Sequence, residues 1–394
     1  ARTRRPEGVP HATWVRWLAA LRGGDDGEIA RELEKVQVFA PNFCSGEPEL
    51  HGLAAWLRAR PDAAAILLLP GRAGLLAAVV DWQGGLRIRV ARLTAPPPPC
   101  DEAQLARSIR VTEYSEPYMR VGRWADEHVV APLLGLVPDG LRHLLWLPSG
   151  PLRMLSPAHL WPGVAVSLAA DMCLRSWPPV QSSRVAMIVA DPGSRGREIP
   201  GVLRLTETLA TVAESIGSIR VRLSCGERWG DKLGCSIRGL VDGPADANGL
   251  LGEIAESEVV LLMCHGFADG PDDAEIEVVN ADGRSERLTI QQIAADPRRI
   301  AGQTFVLLSC ETGRAGAWLH QAGGIAGALL ACGARQVLAP LWPVLVDVAV
   351  DVGAAALRAL ATGKDLGELL TALHDPTLPI EDQISRAGFV LWTA

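Results

Sequence analysis

The amino-acid sequence predicts an α/β fold in which helices flank a mostly parallel sheet. Two short apolar runs, one beginning at Val259 and one at Thr304, are closed by small or polar residues, which is typical of buried parallel strands. Strand-like and helical patterns alternate along the second half of the chain, which favours parallel strands connected by helices. In the first half, two strand-like runs separated by Gln83-Gly84-Gly85 indicate a hairpin.

The composition limits the classes of protein that the chain can represent. Its 394 residues are 48% hydrophobic and 21% charged, which favours two or three domains with sizeable cores. The net charge of -7 gives no basic field, so we expect no nucleic-acid partner. No apolar run reaches the roughly 18 residues of a membrane span, so we expect no membrane partner. The chain begins without Met and without a signal peptide pattern, so we expect a fragment of a longer protein.

The cysteine pattern indicates the compartment. The 8 cysteines include no C-x-x-C pair, so neither a zinc site nor thioredoxin-like chemistry is expected. A chain of this length does not need disulfides to stabilise its core. We therefore expect a reducing, cytoplasmic environment, and no metal or cofactor.

The first half combines helical periodicity with a group of strands. Apolar residues at helical spacing predict helices at 11–22, 28–38, 49–60, 102–111 and 118–134. Strand-like runs lie at 64–69, 75–82, 86–93, 141–147 and 164–169. Pro96 to Pro99 predict a stiff surface connection. The Pro- and Ser-rich segment 177–183 predicts a linker, so we place an N-terminal accessory domain at 1–180 and a second domain at 184–394.

The second half reads as a regular alternation of strands and helices. Besides the runs that begin at Val259 and Thr304, strands are predicted at 185–190, 219–223, 276–279 and 336–341. Helices are predicted at 203–216, 247–255, 290–295, 323–332, 347–360 and 366–373. Such an alternation places the carboxyl ends of the strands at one edge of the sheet, where sites of open α/β proteins lie.

Two of these strand ends carry complementary reactive groups. The Val259 run ends in His265-Gly266, and the Thr304 run ends in Cys310, 45 residues further on. This interval leaves room for a crossover between parallel strands. A thiolate is a nucleophile, and a nearby imidazole can withdraw its proton. We therefore predict a catalytic pair of His265 and Cys310, with the backbone N–H groups of Gly266 and Cys310 as an oxyanion hole.

Other residues have weaker support as catalytic or ligand-binding groups. An isolated cysteine is more often an inert core thiol, and Cys264 is expected to be one because it faces away from His265. His320 is an alternative base. Gly323-Gly324-Ile325-Ala326-Gly327 lacks the Gly-Lys-Ser/Thr of a phosphate loop. The acidic residues after the histidine are expected to form a solvated loop: Asp269, Asp272, Asp273 and Glu275.

The paired strand ends resemble those of the CHAT family of caspase-like cysteine peptidases, in which a strand ending in His-Gly precedes one ending in Cys-Glu-Thr-Gly. Further segments resemble the family over roughly residues 60–394: Pro148-Ser149-Gly150-Pro151-Leu152, Asp191-Pro192, Ile199-Pro200-Gly201, residues 323–335, Leu341-Trp342-Pro343-Val344 and Phe389-Val390-Leu391.

The resemblance implies a caspase-like α/β sandwich, with an accessory or degenerate caspase-like first half that is also similar to the separase arrangement. It implies that His265 is the catalytic histidine and Cys310 the nucleophile. The family usually has Ser-Ala before its cysteine, and this chain has Leu308-Ser309. We assign the substrate pocket to Leu308, Ser309, Leu341 and Trp342. An apolar pocket is expected, and the alternative is an acidic pocket that selects Arg or Lys.

The resemblance also implies a function. The expected protein is a cytoplasmic cysteine endopeptidase that cleaves a protein substrate in bacterial defence or regulated cell death. A sensor or repeat-containing regulatory module is the expected partner. The alternative that the Leu308-Ser309 departure leaves open is a catalytically inactive caspase-like scaffold or binding module.

Overall fold

The computed structural model describes residues 48–71, 74–93, 112–148, 150–169, 184–191, 202–215, 218–225, 241–268, 274–280, 284–289, 300–310 and 324–393, with a few single residues between these ranges. Several predicted features lie outside the described residues and stay predictions: the helices at 11–22 and 28–38, most of the helix at 102–111 and of the proline run, the linker at 177–183, His320, Asp269, Asp272 and Asp273.

A mostly parallel sheet forms the centre of the described structure. The strands are β1 (Ala63–Gly71), β2 (Gly74–Trp82), β3 (Leu86–Leu93), β4 (His143–Leu147), β5 (Ala165–Ala169), β6 (Arg184–Asp191), β7 (Ser218–Cys225), β8 (Val241–Gly243), β9 (Val259–Met263), β10 (Gly266–Ala268), β11 (Ala274–Val279), β12 (Ser285–Thr289), β13 (Thr304–Leu307), β14 (Gln336–Pro340) and β15 (Phe389–Thr393). Twelve of them form one sheet in the order β3-β2-β1-β4-β5-β15-β14-β13-β9-β6-β7-β8. Neighbours are parallel except in the pairs β1–β2, β2–β3 and β14–β15. The α/β fold with a mostly parallel sheet is therefore confirmed.

Helices pack against this sheet. They are α1 (Pro48–Arg58), α2 (Glu116–Ala125), α3 (Ala131–Leu134), α4 (Pro157–Leu160), α5 (Val202–Glu214), α6 (Ala247–Glu256), α7 (Gly324–Ala331), α8 (Val346–Ala361), α9 (Leu366–Leu373) and α10 (Ile380–Gly388). Their apolar faces follow the helical period: α8 buries Val350, Ala354 and Leu357, which lie three or four residues apart. Contacts of α5 and α6 with β6 and of α9 with β5 and β15 attach helices to both halves of the sheet.

The last described strand joins the two halves of the chain. β15 pairs in parallel with β5 on one side, where Leu391 is opposite Ser167. On its other side it pairs antiparallel with β14, where Leu391 is opposite Leu338. Strands from both sides of the predicted linker thus belong to one sheet. The division into domains at residues 180 and 184 stays a prediction.

The structure differs from the sequence-based expectations in several places, and it contains elements that were not predicted, such as α4, α10 and β8. The helix expected at 118–134 contains a π-helical turn at Asp126–Val130, because Pro132 has no N–H for the carbonyl of His128 and its ring crowds that carbonyl. Of the helix expected at 290–295, residues 292 and 293 are helical and residue 295 lies in a turn, and the other positions lie outside the described residues. β10, β11 and β12 form a separate small sheet, of which only part of β11 is predicted from the sequence.

Candidate active site

The register of two parallel strands brings His265 and Cys310 to the same level of the sheet. β9 and β13 are neighbours, and Leu262 is paired with Leu307. The Leu308 N–H continues the ladder by donating to the Leu262 carbonyl at 2.8 Å. His265 and Cys310 each lie three residues beyond this pair. The two predicted catalytic residues therefore leave the same edge of the sheet side by side.

Ser309 ties the two strand ends together. The Cys264 N–H donates to the Ser309 hydroxyl oxygen at 3.2 Å, and that oxygen lies 3.0 Å from the Cys264 sulfur. The Thr312 hydroxyl donates to the Ser309 carbonyl at 2.7 Å. Ser309 and Thr312 are both buried. These bonds fix the backbone immediately before and after Cys310.

Gly266 lies against the backbone of Cys310. A Cβ on Gly266 would overlap the Cys310 carbonyl oxygen and lie 3.0 Å from Cγ2 of Thr312. A glycine directly after a catalytic histidine can leave room for a substrate backbone. In the structure the space is filled by the protein's own chain, so the glycine permits the His265 and Cys310 segments to touch.

The candidate thiol and imidazole reach the surface, whereas their neighbours do not. His265 and Cys310 are partly exposed, and Cys264 and Ser309 are buried. Burial, with a contribution from the negative charge of Glu277, raises the pKa of the Cys264 thiol to about 12. Because a reactive cysteine must be accessible and able to form the thiolate, Cys310 is the better nucleophile candidate of the two, and Cys264 is the core thiol that the sequence predicts.

A buried carboxylate lies close to this thiol. Glu277 of β11 is fully buried, and its carboxylate accepts a hydrogen bond from the Ser285 hydroxyl of β12. Its backbone N–H donates to the His265 carbonyl at 2.9 Å. This hydrogen bond attaches the small sheet of β10, β11 and β12 to the backbone of the candidate histidine. No signal in the sequence marks Glu277, because an alternating strand with a buried glutamate reads as a polar surface strand.

Two further side chains of the small sheet lie near the histidine. The rings of His265 and Phe267 are 6.5 Å apart. The Arg287 guanidinium lies 4.5 Å from the centre of the Phe267 ring and donates to Glu275 at 2.8 Å. Phe267 directly follows His265-Gly266, and this position is the one sequence signal that points to it.

The four residues assigned to the substrate pocket lie inside the protein. Leu308, Ser309, Leu341 and Trp342 are all buried. Leu308 packs on α8, where a Cβ on Gly353 would lie 2.8 Å from its Cδ1. The structure does not bring these side chains to an open surface together with Cys310. Their assignment to a substrate pocket stays a prediction.

Trp342 is held in place from two directions. Its indole N–H donates to the Ile384 carbonyl of α10 at 3.1 Å, and its ring meets the Tyr118 ring of α2 edge-on at 5.9 Å. A Cβ on Gly388 would lie 2.8 Å from the indole nitrogen. The Leu341-Trp342 segment therefore packs between the first half of the chain and α10.

Two other classes of site receive no support from the described residues. In the ranges given above, no group of three or more His, Cys, Asp or Glu side chains is arranged to hold a metal ion. No helix in the described part of the chain is both long and apolar enough to cross a membrane.

The fold and the site together define an α/β protein that brings a cysteine and a histidine to one edge of a parallel sheet. The model of the CHAT domain matches residues 119–378, and the chain belongs to the CHAT family, as its motifs predict. This range contains His265 and Cys310. No match is found among curated proteins.

The chain is also similar to parts of three solved structures. Two are crystal structures of the separase–securin complex of Saccharomyces cerevisiae. The first has a TM-score of 0.41 and 11% identity and covers 65% of this chain and 15% of that chain. The second has a TM-score of 0.41 and 9% identity and covers 71% of this chain and 18% of that chain. The third is the crystal structure of the Drosophila initiator caspase Dronc. It has a TM-score of 0.26 and 11% identity and covers 48% of this chain and 68% of that chain. The matches thus span less than a fifth of the yeast chains.

Proposed function

We propose that the protein is a cysteine endopeptidase in which Cys310 is the nucleophile and His265 the acid–base group. The observation that carries this proposal is the β9–β13 register, together with the Ser309 bridge that fixes the two strand ends. Both side chains are partly exposed, as a group that attacks a substrate must be. Membership of the CHAT family supports the same chemistry.

The proposed reaction proceeds through a thioester. The Cys310 thiolate attacks the scissile carbonyl carbon while the thiol proton resides on His265. The C–N bond then breaks, the proton passes from His265 to the leaving amine, and the acyl group stays on the sulfur. A water molecule, deprotonated by His265, hydrolyses the thioester and restores the thiol.

The oxyanion would accept hydrogen bonds from the backbone N–H groups of Gly266 and Cys310. Pairing around Gly266 supports this role. Gly266 is opposite Ile276, and the neighbouring Glu277 N–H bonds the His265 carbonyl. In an antiparallel ladder the pair next to a hydrogen-bonded pair makes no ladder bonds, so its N–H groups point away from the partner strand. The Gly266 N–H is therefore directed away from β11.

Labelling and cleavage measured on the same variants test the proposal. We expect a thiol-directed electrophile to modify Cys310 first, as mapped by mass spectrometry. Cys310→Ala and His265→Ala should lower kcat/KM on a protein substrate library by about 10³-fold or more, because the nucleophile and its base act as a unit. The matched control is Cys332→Ala, a buried cysteine that should retain activity.

The same experiment separates the peptidase from the alternative. Preferred labelling elsewhere, or cleavage that is unchanged in Cys310→Ala, would contradict the proposal. An intact fold without any Cys310-dependent cleavage would instead favour a non-catalytic caspase-like scaffold.

With the activity we propose the setting that the family resemblance implies: a protein substrate, a sensor or repeat-containing partner, and a role in bacterial defence or regulated cell death in the cytoplasm. Expression of the wild type and of Cys310→Ala in bacterial cells tests it. We expect growth arrest with the active chain and its triggering partner only. Equal growth of both strains with the partner present would contradict the role.

A further inference from the structure

A cavity of about 160 Å³ lies where the two halves of the chain meet. It is lined by α4 and β5 of the first half and by α9, α10 and β15 of the second, and it is partly open to solvent. Much of its wall is apolar and includes Pro157, Val166, Leu370 and Phe389. A cavity of about 150 Å³ with apolar walls is large enough to hold a benzene ring. The space therefore fits a small molecule with one ring or a short branched chain.

Two residues of the wall carry nitrogen donors that the described residues do not satisfy. Trp161 is buried, lines the cavity, and its indole N–H has no hydrogen-bond partner among the described residues. Arg386 lines the same cavity, and its Nε is likewise buried without a described partner. A buried donor without an acceptor is costly, so two such donors on residues that line one cavity point to a ligand that supplies acceptors.

The charge around the cavity favours an anion. Arg386 donates from Nη2 to the carboxylate of Asp351 at 3.3 Å. The side chain of Asp351 is 64% exposed, so water screens this pair strongly. Hydrogen bonds from Thr377, and to a lesser degree the charges of Arg386 and His374, lower the pKa of the exposed Asp375 carboxyl. His374 and the Thr371 hydroxyl complete the polar part of the wall. The cavity thus offers a guanidinium, an indole N–H and an imidazole beside an apolar body.

We propose that this cavity binds a small organic carboxylate. The Arg386 guanidinium and the Trp161 N–H bind the carboxylate oxygens, and Pro157, Leu370 and Phe389 contact the apolar body. Guanidinium groups match carboxylates better than other anion-binding side chains do, because their planar N–H groups fit its two oxygens.

α10 connects this cavity to the segment that follows β14. While Arg386 lines the cavity, the adjacent Ser385 hydroxyl accepts the Leu345 N–H at 3.0 Å. The Gly388 carbonyl accepts the Leu341 N–H at 2.9 Å, and the Ile384 carbonyl accepts the Trp342 indole N–H. Since β14 is the neighbour of β13, this segment begins at the sheet edge from which Cys310 emerges.

A second connection runs through the first half. The ring nitrogens of His159, on α4, bond two hydroxyls, Tyr114 at 3.0 Å and Tyr118 at 3.2 Å. The same imidazole packs against His374 with ring centres 5.7 Å apart, and Tyr118 packs on Trp342. Burial, and to a lesser degree His374, lowers the pKa of His159 to about 4. The neutral ring therefore accepts from one tyrosine and donates to the other.

Occupation of the cavity is thus expected to change the position of the Leu341–Leu345 segment and the reactivity of Cys310. This regulatory consequence rests on the proposed function, whereas binding itself does not.

Calorimetric titration of the full chain with benzoate and with its neutral isostere benzamide tests the binding. We expect benzoate to bind at least about tenfold more tightly, because hydrogen bonds to a charged acceptor are the stronger ones. Trp161→Phe keeps the shape and removes one donor, and should weaken benzoate binding about tenfold. Arg386→Gln should weaken it further. Asp351→Asn is the matched control, because it removes the competing carboxylate and should leave binding equal or tighter.

Three results would overturn the site: no benzoate binding to the folded wild type, equal affinity for benzoate and benzamide, or binding that Trp161→Phe leaves unchanged. Trp161→Phe tests the carboxylate site even if Arg386→Gln does not fold. The coupling is measured separately as the rate of Cys310 alkylation with and without saturating benzoate. An equal alkylation rate with and without benzoate would contradict the coupling. If Cys310 is unreactive under both conditions, that result contradicts the proposed peptidase but not the carboxylate site.

Discussion

Ser309 precedes the candidate nucleophile and joins the two strand ends with its hydroxyl. The CHAT family usually has alanine at this position, so the hydroxyl is a departure that has a structural consequence. It accepts the buried Cys264 N–H and contacts the Cys264 thiol. We therefore expect Ser309 to position the backbone on either side of it, in addition to the predicted place beside the substrate.

Ser309→Ala should lower the free energy of unfolding by about 1–3 kcal/mol, because it leaves a buried N–H without its acceptor. Peptidase kcat should fall as well, since Cys310 loses its fixed level relative to His265. Denaturant unfolding and steady-state kinetics measure the two effects. Ser215→Ala, an exposed serine at the end of α5, is the control and should change stability by less than about 0.5 kcal/mol. An equal effect of both substitutions would contradict the role of Ser309.

Cys264 provides a pH-dependent measure of this interior. Its pKa is raised to about 12 in the folded protein, against about 8.5 in an unfolded chain. Below about pH 8.5 both states keep the proton, and the thiol has no effect on stability. Between that pH and 12 the unfolded chain loses a proton that the folded protein retains, so stability falls as pH rises, by up to about 1.4 kcal/mol per pH unit.

We therefore expect Cys264→Ala to flatten the loss of unfolding free energy above about pH 9. Denaturant midpoints of the wild type and the variant, compared across pH 7 to 11, check this expectation. The comparison between variants removes the effect of the other groups that titrate in alkali. Parallel curves for the two proteins would show that the Cys264 thiol ionises as readily in the folded state as in the unfolded chain.

At the scale of the element, β10 acts on the site through its first residue. Gly266 lies so close to Cys310 that a Cβ would overlap the Cys310 carbonyl. Gly266→Ala should therefore displace either the small sheet or the loop after β13, and should reduce both cleavage and the rate of Cys310 alkylation. Gly85→Ala is the control, because that hairpin glycine has nothing within 4 Å of the added Cβ. Normal alkylation in folded Gly266→Ala would contradict the contact.

The sequence best predicts those strands and helices that contain continuous apolar runs. The β2–β3 hairpin lies where Gln83-Gly84-Gly85 indicates it, with Trp82 paired to Leu86 and Gly84 at a φ of 72°. β12 is different: it has three exposed residues at its start and is stabilised by pairing with β11. Its stability comes from pairing with the preceding strand rather than from an apolar face of its own, so no local periodicity marks it.

Side-chain direction is the part of the site that the sequence does not supply. The pairing of His265 with Cys310 is predicted from two strand ends and a parallel sheet, and the β9–β13 register puts each residue three positions beyond the pair of Leu262 and Leu307. Leu308 lies only two residues from Cys310, but it packs on α8 because Gly353 leaves space there. This outcome depends on a helix nearly fifty residues away, which local spacing cannot reveal.

For the whole molecule, the consequence of the topology is that the two halves share one sheet through β15. Leu391 is fully buried and is paired with Ser167 of the first half and Leu338 of the second. Because a sheet that crosses both halves couples their unfolding, we expect one cooperative transition rather than two independent ones. A substitution at the shared strand should then weaken both halves together.

Leu391→Ala tests this coupling. Removing a buried leucine side chain should cost about 2–5 kcal/mol of unfolding free energy, and hydrogen exchange should rise by a similar factor in β4, β5, β13 and β14, since the same global opening exposes them. Leu134→Ala is the control, because that side chain is 58% exposed and its loss should change exchange little. Faster exchange confined to β13 and β14 would mean that the second half opens alone. In that case the shared strand would be a docking contact between two independently folding units. Any effect of the cavity lined by α4 and α10 on the reactivity of Cys310 would then have to pass through α10 and not through the first half.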